Sequence, residues 1–193
     1  MEITENSLSP QESLNLIADI VFKTKENIKE QSFCFLLWGW LISVASILFF
    51  ILQQYTSFKL YFLPFPVLAA VGVITTILYY TKRFRSTETY LNYYLNRMWI
   101  VLGACFISVV FINVSHQHEP FTYTLIIAAI GTLISGLVIR FKPLIIGGII
   151  LIGSGLVSAF VPVEYVVLLH GIAIIAGYLI PGYMLKHSKE NTV

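Results

Sequence analysis

Six long apolar stretches, separated by short polar connections, dominate the pattern of residues along the chain. None of them contains Asp, Glu, Lys or Arg in its interior. A helix needs about 20 mostly apolar residues to cross roughly 30 Å of hydrocarbon. The stretches also lack the alternation of a membrane barrel. We therefore expect an all-α, polytopic membrane protein, a six-transmembrane-helix bundle with spans near 33–53, 61–81, 98–114, 121–139, 143–161 and 165–184.

The segment ahead of the first span predicts an amphipathic helix. Residues 9–12, Ser-Pro-Gln-Glu, have the form of a capping box, with Ser9 as the N-cap and Pro10 at the first helical position. No Gly or Pro separates this helix from the first span, so we expect the two to be nearly continuous. The apolar residues that follow the cap recur at helical spacing: Leu14, Leu16, Ile17, Ile20, Val21 and Ile28.

This pattern divides the chain into an N-terminal amphipathic cytoplasmic helix (1–31), a transmembrane domain (32–186) and a cytoplasmic tail (187–193). The N-terminal helix either covers the cytoplasmic mouth of the bundle, lies on the lipid surface, or docks a cytosolic protein partner or a second protomer. The first thirty residues contain no apolar run of the kind found in signal peptides, so we expect no cleavable signal.

The basic residues indicate how the spans are oriented. Eleven of the twelve Lys and Arg residues fall in connections on one side of the predicted membrane, and Lys59 alone falls on the other. Cytoplasmic loops carry the excess of Lys and Arg, so both termini are predicted to be cytoplasmic in an inner (plasma) membrane. The eleven are Lys23, Lys25, Lys29, Lys82, Arg83, Arg85, Arg97, Arg140, Lys142, Lys186 and Lys189.

Composition agrees with a membrane environment. The chain is 57% hydrophobic and 11% charged, with a mean hydropathy of +0.81, whereas soluble domains carry about 25% charged residues. A net charge of +2 is too small to suggest nucleic acid, so the expected partners are membrane lipids. Cys34 and Cys105 lie in apolar runs with no spacing typical of a metal site or disulfide framework.

The stretch "SPQESLNLIADIV", followed by "FCFLLWGWLISVAS", resembles a group of small, uncharacterised six-span bacterial membrane proteins. These open with an amphipathic helix that runs into a "FLLWGWL" first span. The resemblance is good over about the first fifty residues, and beyond them it extends mainly to the number of spans. It implies a bacterial inner-membrane protein and transfers no activity and no functional residue.

Small residues recur four apart in the last three spans, a spacing that permits close helix packing in lipid. They predict a tight sub-bundle of spans four to six, with a homodimer face as the rival interpretation. The residues are Gly131, Thr132, Ser135 and Gly136 in span four, Gly155 and Ala159 at span five, and Ala173 and Gly177 in span six.

The stretch "SHQHE" in the outer turn between spans three and four contains the candidate metal ligands His116, His118 and Glu119. Imidazole and carboxylate together can bind Zn²⁺ or relay protons. An H-x-H pair in a loop fixes no ligand geometry, however. We interpret this stretch as a hydrated turn, and we expect no metal and no cofactor.

His170 lies inside span six, where an ionisable side chain is a functional candidate. The alternative is a neutral imidazole hydrogen-bonded to a hydroxyl, and Ser154 of span five lies at a similar depth. Ser154 and His170 are also the remote catalytic candidates, because their segments faintly resemble the Ser–His dyad of rhomboid proteases. That pattern needs Gly where Ile152 stands, and it places the dyad on the fourth and sixth helices rather than the fifth and sixth.

The leading functional hypothesis is a non-enzymatic binding or regulatory protein that engages a lipid, a small apolar ligand or a protein partner. A small transporter or channel for a neutral solute is the alternative, and an intramembrane Ser–His hydrolase ranks last. The polar residues that could line a solute path more often bond to their own helix: Ser43, Ser46, Thr75, Thr76, Ser108, Asn113 and Ser158.

Overall fold

The structure is a computed structural model that describes residues 10–83 and 90–188, and within these ranges every regular element is helical. The helices are α1 (Pro10–Tyr55), α2 (Pro64–Arg83), α3 (Tyr90–Ser115), α4 (Phe121–Val138), α5 (Lys142–Ser158), α6 (Val163–Ile174) and α7 (Ile180–Lys186). A π-helical turn, Ile175–Leu179, joins α6 to α7, and the three together are called the sixth span. The predicted all-α class is confirmed.

Each of the first five predicted spans overlaps one of these helices, and the last overlaps α6, the π-helical turn and α7. Within the described ranges, five stretches are long and apolar enough to cross a membrane, namely Gln31–Tyr55, Pro64–Thr81, Leu91–Ser115, Phe121–Val138 and Val163–Lys186. The sixth, α5, is apolar but has 17 residues. At about 1.5 Å per residue it is about 25 Å long, a few ångströms less than the hydrocarbon thickness.

The first helix runs without a break from Pro10 to Tyr55, so it includes both the N-terminal segment and the first span. It begins at Pro10, as predicted, while Ser9 lies outside the described residues. The expected near-continuity of the two segments is confirmed. The role of the N-terminal segment as a docking helix stays a prediction.

Helices α4 and α5 form the most extensive helix pair, and glycine brings their backbones together. A Cβ added to Gly136 would lie 2.7 Å from the backbone nitrogen of Ile145, and one added to Gly148 would lie 2.9 Å from Cα of Leu133. Such contacts leave no room for a side chain. They confirm that the small residues of these spans serve helix packing, as expected where close approach drives association in lipid.

The sixth span closes this sub-bundle through its π-helical turn. A Cβ added to Gly147 of α5 would lie 2.6 Å from the carbonyl oxygen of Gly177, so the two backbones touch there. Pro181 follows at the start of α7 and has no N–H to donate to the preceding turn. A π-turn next to a proline shifts the side chains beyond it around the helix axis.

The bundle is divided by a seam between α1 and α4. Helix α1 packs on α2, α4 packs on α3 and α5, and the sixth span packs on α1, α4 and α5. Aromatic side chains bridge the gap between α1 and the helices α3 and α4. The rings of Phe35 (α1) and Trp99 (α3) have centroids 5.8 Å apart, and those of Phe49 (α1) and Phe121 (α4) 5.4 Å apart. We call this boundary the α1–α4 seam, and α6 packs against both of its helices.

Candidate functional site

His170 of α6 lies within the α1–α4 seam and is 2% exposed. Its Nδ1 lies 3.0 Å from Oγ of Ser46 on α1, and its Nε2 lies 3.2 Å from Oγ1 of Thr124 on α4. One imidazole therefore links three helices. The expected hydroxyl partner is present, but it comes from spans one and four rather than from Ser154 of span five.

The hydroxyls of this cluster have a second contact each. Oγ of Ser46 lies 2.9 Å from the carbonyl oxygen of Ile42, and Oγ1 of Thr124 lies 2.8 Å from that of Phe121, so each hydroxyl can donate to its carbonyl when it does not donate to the ring. A hydroxyl carries one proton, and a neutral imidazole has one donor and one acceptor nitrogen. One hydroxyl therefore accepts from the ring while the other donates to it. Because each hydroxyl also has a carbonyl within reach, it keeps a partner whichever tautomer His170 adopts.

Aromatic rings surround the imidazole on the remaining side. The ring of Phe121 lies 5.3 Å from that of His170 and the ring of Phe65, on α2, lies 6.3 Å away. The contact from Phe65 places the outer part of α2 over the α1–α4 seam. This environment suits a neutral, hydrogen-bonded histidine that fixes helix positions.

Ser154 and His170 do not form a dyad in this structure. No hydrogen bond joins them among the described residues, and both ring nitrogens of His170 already face Ser46 and Thr124. Nucleophilic catalysis by serine needs a base within hydrogen-bond reach of its hydroxyl. Ser154 and His170 do not meet because the face of α6 that carries His170 is turned toward α1 and α4 rather than toward α5.

The turn between α3 and α4 is compact. The backbone N–H of His118 donates to the carbonyl of Asn113 at 2.9 Å, and Gln117 adopts a φ of 59°. The side chains of His116 and His118 are exposed. In the described part of the chain, no three His, Cys, Asp or Glu residues form a group that could hold a metal, so His116, His118 and Glu119 are not gathered into one.

Glu119, unlike the two histidines, turns inward and is half-buried. Burial raises the pKa of Glu119 more strongly than a hydrogen bond from the side chain of Gln53, near the C-terminal end of α1, lowers it. Oε2 of Glu119 and Oε1 of Gln53 are both buried without a hydrogen-bond partner. The sequence offered no signal for this pair, because the two residues lie far apart in the chain and on different elements.

Several interior polar residues bond to their own helices, as expected. Thr76 donates to the carbonyl of Gly72, Ser108 to that of Ala104, and Asn113 to that of Val109. Such bonds satisfy the side chain within its own helix. These positions therefore give no support to a continuous polar path.

Helices α2 and α3 are the least enclosed of the bundle. The most apolar windows of their spans are 6% and 0% buried. Within the described residues α2 packs extensively only on α1, and α3 only on α4, and the two share no extensive contact. A ring from each of these helices reaches the sixth span, since Phe65 of α2 contacts His170 and Trp99 of α3 contacts Tyr178.

Two tryptophans pack against glycines of the neighbouring helices. A Cβ added to Gly72 of α2 would lie 3.0 Å from the ring of Trp38, and one added to Gly131 of α4 would lie 2.6 Å from the ring of Trp99. Both rings are partly buried and pack against the central core. We use the name lateral cleft for the region bounded by α2, α3 and these two rings.

Comparison with protein-family models, with curated proteins and with solved structures finds no match to this chain. The resemblance of its first span to small six-span bacterial membrane proteins therefore stays a prediction. The function must be inferred from the geometry of the seam and the lateral cleft.

Proposed function

We propose that this is a six-span bacterial inner-membrane protein, with both termini in the cytoplasm, that binds a bilayer lipid or another apolar ligand without catalysing a reaction. The one-sided distribution of Lys and Arg supports the orientation. The lateral cleft supports the binding role, because a ligand dissolved in the bilayer reaches it sideways without crossing a polar entrance.

The observation that carries the proposal is the unequal packing of the helices. The helices α4 and α5 touch through backbone at Gly136 and Gly148, which makes them a rigid unit. Helices α2 and α3 each have one extensive helical neighbour among the described elements. An element with few buried contacts opens at low free-energy cost. The lateral cleft is therefore the part of the bundle best suited to admit an acyl chain.

The surroundings of His170 in the α1–α4 seam support a non-enzymatic role. The two ring nitrogens of His170 face the hydroxyls of Ser46 and Thr124, and all three side chains are buried, so a substrate has no access to them. General-base catalysis needs a base that can reach its substrate. The hydroxyl contacts and the phenyl rings around His170 serve to hold helices together.

A photoactivatable fatty acid carrying a diazirine in its chain tests this proposal. The protein is reconstituted in phosphatidylglycerol vesicles with a trace of the probe, irradiated and mapped by mass spectrometry. We expect adducts at Trp38 and Trp99 that decline when excess unlabelled fatty acid is added, because a bounded site saturates. Adducts at Ile149 and Ile150, on the exposed side of α5, serve as the control for bulk lipid contact.

A matched pair of variants sharpens the test. Trp38→Ala removes part of the cleft floor, whereas Trp40→Ala removes an exposed ring on another face of α1, where its Nε1 donates to the hydroxyl of Tyr183. We expect the first change alone to reduce the competed adducts at Trp99. Equal labelling of all lipid-exposed faces, with no competition, would contradict the proposed site.

A further inference from the structure

The outer end of the α1–α4 seam carries a polar pair that the lipid-binding proposal does not use. Gln53 lies one turn beyond Phe49 on α1, and Glu119 lies two residues before Phe121 at the start of α4. Phe49 and Phe121 are in ring contact across the seam. The Gln53–Glu119 pair therefore joins the two sides of the seam just outside its last aromatic contact.

Only half of the possible hydrogen bonding between these side chains is made. An amide nitrogen of Gln53 donates to the carboxylate of Glu119. The two remaining oxygens, Oε2 of Glu119 and Oε1 of Gln53, are both acceptors when the carboxylate is ionised, and both are buried without a partner. A buried acceptor that lacks a donor destabilises the folded state.

A proton supplies the missing donor. When a proton from water adds to Glu119, the carboxyl O–H can donate to Oε1 of Gln53, while the amide N–H of Gln53 continues to donate to the other carboxyl oxygen. The product is a cyclic acid–amide pair with two antiparallel hydrogen bonds. No other bond forms or breaks, and the proton returns to water when the pH rises.

We propose that Glu119 is a proton-binding site on the outer face, and that its protonated form clamps the end of α1 to the turn between α3 and α4. At higher pH the carboxyl group is ionised and only the hydrogen bond from the Gln53 amide is made. As the outer medium becomes acidic, the carboxyl group is protonated and the second hydrogen bond forms. This inference is independent of lipid binding, since it concerns the outer end of the seam and needs no ligand.

Charged neighbours are not among the causes of the raised pKa of Glu119. Burial and the hydrogen bond from Gln53 are the causes of its pKa shift, so the response belongs to this pair. The other titratable side chains described at this end of the bundle are Tyr55, Lys59, Tyr61, His116, His118, Tyr123, Glu164 and Tyr165.

Glu119→Gln provides the decisive variant because it replaces the acid by a permanent donor. A second amide can form both hydrogen bonds to Gln53 at any pH. We expect the melting temperature of the wild-type protein in detergent to rise as the pH falls from 8 to 5, and that of Glu119→Gln to stay level at or above the highest wild-type value. Glu164→Gln, which changes an exposed acid at the same end, should keep the wild-type pH dependence.

Infrared difference spectroscopy of the wild-type protein gives a second readout that needs no stable variant. A carboxylic acid C=O band should appear as the pH falls, at a higher pH than for an exposed carboxyl, and it should be missing in Glu119→Gln and present in Glu164→Gln. The proposal is overturned if the band appears only at the pH of ordinary carboxyls, or if Glu119→Gln retains the wild-type pH dependence.

Discussion

Replacing His170 by leucine tests the central claim that this residue holds helices together rather than catalysing a reaction. Leucine has a similar volume, so the change removes hydrogen bonds while it creates little cavity. The lost bonds are those to Ser46 and Thr124, at 3.0 and 3.2 Å. The expected effect is a loss of stability with no change in fold.

The magnitude follows from the partners that remain. An interhelical hydrogen bond in a membrane protein contributes about 0.6 kcal/mol on average, so two contribute about 1 kcal/mol. Ser46 and Thr124 keep the carbonyls of Ile42 and Phe121 as acceptors, so neither hydroxyl is left unpaired. The penalty of about 1–3 kcal/mol for an unsatisfied buried group therefore does not apply. We expect His170→Leu to lower the free energy of unfolding by about 1–2 kcal/mol in total.

Reversible unfolding by sodium dodecyl sulfate in mixed micelles, followed by circular dichroism, measures this quantity. Ser154→Ala is the matched control, because Ser154 makes no hydrogen bond to His170 in the described structure, and it should leave the unfolding free energy unchanged. A double-mutant cycle between Ser46→Ala and His170→Leu should give a coupling of about 0.6 kcal/mol. The reasoning fails if Ser154→Ala is as destabilising as His170→Leu, or if the cycle shows no coupling.

Three further outcomes are expected. Gly147→Ala should destabilise the bundle by about 1–3 kcal/mol in the same unfolding assay, because its Cβ would meet a backbone carbonyl of the π-turn at 2.6 Å, whereas Gly153→Ala, which meets nothing within 4 Å, should be neutral. The raised pKa of Glu119 means that the folded state binds more protons than the unfolded state, so stability should fall as the pH rises from the ordinary carboxyl range through the raised pKa. In intact cells, a cysteine placed at Lys59 should react with an impermeant maleimide, and one at Arg140 should react only after the membrane is opened; reaction of both in intact cells would contradict the proposed orientation.

The helical class and the approximate positions of the apolar helices were predictable from sequence because they depend on local properties. A segment surrounded by lipid must satisfy its backbone hydrogen bonds internally, so a long apolar run becomes a helix whatever its neighbours are. The same holds for Pro10 at the start of α1 and for the glycines of α4 and α5, since a missing side chain permits close approach wherever the partner helix comes from.

The partners of His170 and Glu119 could not be predicted, because they depend on how each helix is rotated and on which helices become neighbours. Depth along the span made Ser154 a reasonable partner for His170, yet the structure turns His170 toward Ser46 and Thr124. The sequence predicts that Glu119 lies in a hydrated turn, yet its side chain points inward to Gln53. A sequence specifies how deep a residue lies in its helix through length and polarity, whereas the direction in which that residue points is decided only when all the helices pack together.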